Sequence, residues 1–129
     1  MKNVYFLDTN VIIRFLLCDN KILFKKAKTI FKKAENGFYK LYIDEIVVAE
    51  CIWLLSSFYK SSKNKTIQML IKIVSFDFVI CDNKNLLIDT MIMVNDQNLS
   101  FIDCWLNLKS KLMNLQLITF DKKLSNICK

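Results

Sequence analysis

The stretch Tyr5–Leu17, YFLDTNVIIRFLL, decides how this chain is read. Two apolar runs flank Asp8-Thr9-Asn10. Residues 4–7 are β-prone and alternate, so they read as a short buried strand, and from Asp8 to Leu17 the pattern turns helical. A carboxylate at the joint of two buried segments needs a reason, because an unpaired buried charge is costly. In open α/β sheets, ligands bind beyond the carboxyl ends of the strands. Asp8 stands at such an end.

Working outward, residues 20–36, NKILFKKAKTIFKKAEN, set Ile22, Leu23, Ala27, Ile30, Phe31 and Ala34 at helical spacing with lysines opposite. Asn36-Gly37 closes that helix. KLYI (40–43) reads as a second strand. Asp44 or Glu45 opens EIVVAECIWLLSSFY, which is apolar nearly all round and is expected to be the central buried helix. SSKNK (61–65) is loop-like, 66–75 a helix, and FDFVI (76–80) a third strand. Residues 83–96 and 101–113 are helical, LQLITF (115–120) is a fourth strand, and Asp121 begins a short last helix. Strands alternating with helices predict a parallel sheet covered on both faces. With 129 residues, one Gly, no Pro and no linker, a single domain over 1–129 is expected, burying about two-thirds of its unfolded surface.

Composition excludes several classes. Hydrophobic residues make up 53% of the chain, which excludes disorder. No apolar run approaches the roughly 20 residues that span a bilayer, and MKNVYFLD does not read as a secretory signal because Asp8 interrupts it. The five cysteines are scattered without a CxxC pair, as in reduced, mostly buried thiols of a cytoplasmic protein. Without histidine, Ser-His-Asp and Cys-His catalysis and most zinc sites are excluded. The net charge of +7 is almost wholly lysine, with Arg14 the only arginine. It points to a polyanionic partner such as nucleic acid or to a lysine-rich background composition.

Four carboxylates stand at unusual places. Asp8 follows the first strand and Asp121 the fourth, which puts both at one edge if the strands are parallel; each also suits a helix N-cap. Glu50 has Ile46, Val47, Trp53 and Leu54 as helical neighbours, a setting that calls for an ion pair or a metal. Asp103 completes a Ser-x-x-Asp capping box with Ser100, which also holds it in a first helical turn. If the four converge, two charges about 4 Å apart repel by about 4 kcal/mol at an effective dielectric of about 20. A hard divalent cation resolves that, and oxygen-only ligands select Mg²⁺ or Mn²⁺.

At these residues the sequence resembles PIN domains, and most of all the VapC-type ribonuclease toxins of type II toxin–antitoxin pairs. FLDTNVIIRFLLCDN resembles the family's opening strand and Asp-Thr-Asn turn, Arg14 included. IVVAECIWLLSSFY resembles its central helix with Glu50 at the acidic position, LSFIDCWL the helix start carrying Asp103, and LITFDKKL the closing Thr-x-Asp turn with Asp121. Two departures stand out: Ser100 lies where the family often has a further Asp shortly before its third acid, and the final strand usual in the family does not follow the last motif. Bulky Cys104 and Trp105 also replace small residues.

The resemblance implies a PIN-like three-layer α/β/α sandwich with a central parallel sheet of about four short strands. It implies a metal-dependent endoribonuclease in which Asp8 and Asp103 bind Mg²⁺ or Mn²⁺ directly and Glu50 and Asp121 complete the cluster. Thr9, Asn10, Ser100 and Thr119 would orient those acids, and Arg14, Lys122 and Lys123 would meet the nucleic acid. Partners would be RNA, a cognate antitoxin and a second copy in a homodimer. A non-toxin PIN nuclease and a catalytically inactive PIN-type binding module are the alternatives. A phosphotransfer hydrolase with an Asp nucleophile needs Asp-x-Asp, but Asn10 holds the second position. A receiver domain needs paired acids after strand one, which are lacking.

Overall fold

The computed structural model describes residues 3–128, which fall into two compact units, one ending at Lys84 and the other starting at Asn85. The first unit is built on an open, wholly parallel sheet. Its strands are β1 (Val4–Phe6), β2 (Lys40–Tyr42) and β3 (Val79–Ile80), in the order β1-β2-β3. Tyr5 pairs with Leu41 and Leu41 with Val79; Phe6 pairs with Tyr42 and Tyr42 with Ile80.

Parallel neighbours require a crossover between them. The first crossover holds α1 (Thr9–Leu17) and α2 (Lys21–Glu35). The second holds α3 (Glu45–Trp53), a π-helical turn (Leu54–Phe58) and α4 (Lys63–Val74). Strand alternation gives the sheet one packed face, where Leu7, Leu41, Ile43 and Val79 are buried. On the opposite face Phe6 remains 74% exposed and lies 4.6 Å, ring to ring, from Tyr42.

The helices follow local chemistry. The Asn20 side chain caps α2 by accepting from the Leu23 N–H at 3.1 Å. Ala27, Phe31 and Ala34 are buried at the spacing of one helical stripe, with Lys25, Lys28, Lys32 and Lys33 exposed. Phe31 meets Phe15 of α1 at 4.5 Å.

Helix α3 corrects the sequence expectation. Only its Val48, Cys51 and Ile52 stripe is buried, while Ile46 (73%) and Trp53 (62%) are exposed. A nine-residue helix packs one stripe whatever its composition, so an all-apolar pattern does not imply burial all round. The third strand is also shorter than expected. Phe76 and Phe78 stack at 4.9 Å in the turn before it.

The second unit is helical: α5 runs from Lys84, α6 spans Phe101–Leu112 and α7 spans Lys122–Cys128. Its core takes Leu86, Leu87, Met91, Val94, Phe101, Cys104 and Leu124. Asn107 is buried and satisfied: its amide donates to the Met93 sulfur at 3.6 Å, and the Cys128 thiol donates to its oxygen at 3.3 Å. The expected fourth strand, 115–120, is not a strand. Its residues enter no ladder among the described residues, and Phe120 (104%) is fully exposed, with Ile118 and Leu115 exposed to lesser degrees. An extended segment becomes a strand only through a pairing partner, and every assigned element of this unit is a helix.

All five cysteines are free; Cys51 and Cys104 are buried, Cys81 and Cys128 half-buried, and Cys18 exposed. Among the described residues no helix is long and apolar enough to cross a membrane.

Candidate active site

The first unit delivers acids at the carboxyl ends of its strands. Asp8 follows β1 and occupies the N-cap position of α1 with extended backbone (φ −82°, ψ 150°), yet its side chain makes no capping hydrogen bond. Its main-chain carbonyl accepts from the Val11 N–H at 3.1 Å. The carboxylate is exposed, and among the described residues no hydrogen bond or ion pair involving its oxygens is found. Thr9 beside it is buried and Asn10 exposed.

Glu50 lies on the exposed face of α3, not in an apolar interior. Ion pairs join Arg14 to Asp19 at 3.3 Å and Lys32 to Glu35 at 3.4 Å, and neither of them involves Glu50. What links it to Asp8 is Cys51. That thiol is buried, and its pKa is pushed up to about 12, first by burial and then by the negative charges of Glu50 and Asp8. Both carboxylates therefore act on one buried atom.

In the second unit, the Ser100 hydroxyl caps α6 by accepting from the Asp103 N–H at 3.2 Å. Among the described residues the Asp103 carboxylate makes no return bond, so only half of the capping box forms and the half-buried acid keeps its oxygens. Asp121 is engaged: its Oδ1 accepts from the Leu124 N–H at 2.9 Å, capping α7. Thr119 accepts from the Asp121 N–H at 3.1 Å, which fixes the turn before that cap.

The basic residues expected at nucleic acid are partly engaged too. Arg14 bridges Asp19 and lines a cavity of about 410 Å³ between α1 and α2, with Asn10 and Lys26 at its polar wall. Lys122 is exposed, and Lys123 donates to the Asn98 carbonyl at 3.3 Å.

A third feature went unread in the sequence. Tyr42, at the end of β2, hydrogen-bonds Asp82, which follows β3, and this bond is the main reason its pKa rises to about 12. Burial and the charges of Asp82, Asp44 and Glu45 add to the rise. The rule that singled out Asp8, an acid just past a strand, applies equally to Asp44 and Asp82.

The donor set is all oxygen, and Asp8 makes no capping bond, which fits a hard divalent ion in chemistry. Among the described residues no three acidic or thiol groups stand together as a metal-holding cluster.

A parallel α/β sheet whose first strand ends in an unused carboxylate defines a protein with an acidic site at the sheet's carboxyl edge. The chain belongs to the PIN domain family, whose model matches residues 5–129, across both units. PIN domains are generally metal-dependent nucleases that use divalent ions, so nuclease activity on nucleic acid is the activity class of this fold. None of the curated proteins compared with the chain matches it.

Proposed function

We propose that this protein is a Mg²⁺- or Mn²⁺-dependent endoribonuclease, the VapC-type toxin of a type II toxin–antitoxin pair, acting in the cytoplasm as a homodimer held in check by its antitoxin. Asp8, Glu50, Asp103 and Asp121 are assigned as the ligand set. The observation that carries the reading is the Asp8 carboxylate, left uncapped at a cap position and sharing its field with Glu50 on Cys51.

Within this reading, Asp8 and Asp103 would bind the ion directly, and Glu50 and Asp121 would complete the acidic cluster through a second ion or bound waters. Ser100 and Thr119 stiffen the backbone under Asp103 and Asp121 through the hydrogen bonds above. The ion, when bound, lowers the pKa of a water and offsets charge on the departing oxygen. Thr9 and Asn10 flank the first ligand, and Arg14, Lys122 and Lys123 lie beside the RNA backbone, where each phosphate contact adds salt-dependent affinity.

Purified protein is expected to cut RNA with Mg²⁺ or Mn²⁺ and to stop in EDTA, and Asp8→Asn to abolish cutting. Cleavage that survives both EDTA and the substitution overturns the assignment. A second reading, a PIN-type module that binds nucleic acid without cutting it, is favoured by the engaged state of Asp121. RNA binding with no cleavage under any divalent ion would select it.

A further inference from the structure

The two tryptophans of the chain are used differently. Trp105 stacks on Phe101 at 6.0 Å and carries Lys109 over its ring at 5.4 Å. Trp53 is exposed and has no ring partner among the described residues. It lies one helical turn beyond Glu50, on the same face of α3, since residues three apart are neighbours on a helix.

Directly after Trp53 the helix widens into the π turn. The Tyr59 N–H reaches back five residues to the Leu54 carbonyl at 3.0 Å. The Ser56 hydroxyl donates to the Ile52 carbonyl at 2.6 Å, competing with the regular ladder. Single π turns of this kind recur at functional sites. A π turn holds more residues than an α turn, so Phe58 comes nearer to the side of Trp53 than it would in an unbroken α-helix, and it too is exposed (71%).

The turn then stops at Lys60, in the left-handed region (φ 53°), and the Ser61 N–H closes on the Leu55 carbonyl at 2.7 Å. Glycine is the usual residue at that position because it has no Cβ to clash. Here the position carries a cation instead, and exposed Lys65 follows in α4.

Unstacked bases offer π faces that exposed aromatics take up without regard to sequence, and a basic edge tracks the phosphates. We infer that Trp53 and Phe58, followed along the chain by Lys60 and Lys65, form a stacking strip for single-stranded RNA that leads the strand past Glu50. Charge complementarity selects this occupant: an apolar protein partner would leave both lysines unmatched, whereas a polyanion pairs them. The inference rests on the ribonuclease reading for its substrate class, but binding by the strip does not depend on cleavage.

The test uses the full chain carrying Asp8→Asn, in EDTA, so that no RNA is cut. The probe is a short fluorescein-labelled oligouridylate. Trp53→Ala and Phe58→Ala are each expected to weaken binding by roughly five- to 150-fold, the range for one lost base stack. Trp53→Phe, which keeps a stacking ring, is expected to recover most of it. With Trp105→Phe added, Trp53 is the only indole, and its fluorescence is expected to fall as RNA is titrated in.

Unchanged affinity in both alanine variants, or Trp53 emission that ignores RNA, overturns the strip. So does a change in oligomeric state with RNA binding intact, which would make this face a protein interface. If the variants bind poorly while the parent never cleaves RNA, the nuclease reading falls and the strip stands. If the parent cleaves, and Trp53→Ala and Phe58→Ala made in the chain that keeps Asp8 bind and cut as it does, the strip falls alone.

Discussion

Asp8 and Asp44 are two copies of one situation. Each follows a parallel strand, each precedes a helix, and their backbones coincide at φ −82°, ψ 150° and φ −83°, ψ 148°. Asp44 does what that position invites: its carboxylate accepts from the Ile46 N–H at 2.8 Å. Asp8 does not. Since capping is worth about 1 kcal/mol, a carboxylate that stands in place and forgoes the bond is available for other work. The family to which the chain belongs gives that work a class, metal-dependent nuclease chemistry. The contrast separates an acid that holds up the fold from an acid free to meet a ligand.

The largest effect expected to sharpen this contrast is on turnover. Asp8→Asn should lower RNA cleavage by on the order of a thousandfold, equivalent to about 4 kcal/mol, whereas Asp44→Asn should leave the rate within about threefold. Equal losses in a cleavage time course would erase the distinction.

Next in size is the response to metal. An ion bound only by the folded state at a hundred times its dissociation constant adds about 2.7 kcal/mol. Thermal melting in Mn²⁺ should therefore raise the parent well above its EDTA value, Asp44→Asn by as much, and Asp8→Asn and Asp103→Asn by far less. In EDTA, Asp103→Asn should melt above the parent if the proposed four-acid set crowds its charges, because removing one anion then relieves repulsion. A lower melting point there, with no ion response in the parent, would return Asp103 to its capping box.

Third is the cap itself. In EDTA, Asp44→Ala should cost about 1 kcal/mol, a fall of about 4 °C for a chain of this size. Asp8→Ala should leave the melting temperature unchanged or raise it. Equal falls in the two variants would mean that Asp8 caps in solution after all.

The smallest effect is alkaline. Tyr42 has its pKa raised from 10.0 to about 12, chiefly by its hydrogen bond to Asp82. A raised folded-state pKa means the fold holds the phenol proton more tightly than the unfolded chain. That contribution is complete below pH 10 and is lost as pH climbs to about 12. Tyr42→Phe should flatten this part of the stability–pH curve, and an unchanged slope would show that Tyr42 is not coupled to Asp82.

Much of this architecture was legible in the residues. The cap Ser100 and the buried stripe Ala27-Phe31-Ala34 are decided within a few residues by side-chain hydrogen bonding and a 3.6-residue period. The strand–helix alternation that makes the sheet parallel could be read for the same reason, since each short apolar run is bounded by a helix start. The absence of histidine and the scatter of the five cysteines left carboxylates as the candidate ligands.

What depends on distant partners could not be read in this way. The run 115–120 alternates like a strand, but strands exist only in pairs, and pairing is not local. In α3 the apolar residues surround the axis, so packing alone chose Val48, Cys51 and Ile52 for the core and left Trp53 outside. The π turn after it depends on which carbonyl each N–H finds, a shift of one residue that no propensity encodes. FLDTN and YIDEI look alike as sequence, an acid between a strand and a helix. Only the tertiary structure decided that Asp44 turns its carboxylate onto its own helix while Asp8 makes no capping bond. Backbone angles were equal at the two sites, so the choice lay in the side chain, and a side chain answers to the surroundings that the rest of the chain brings to it.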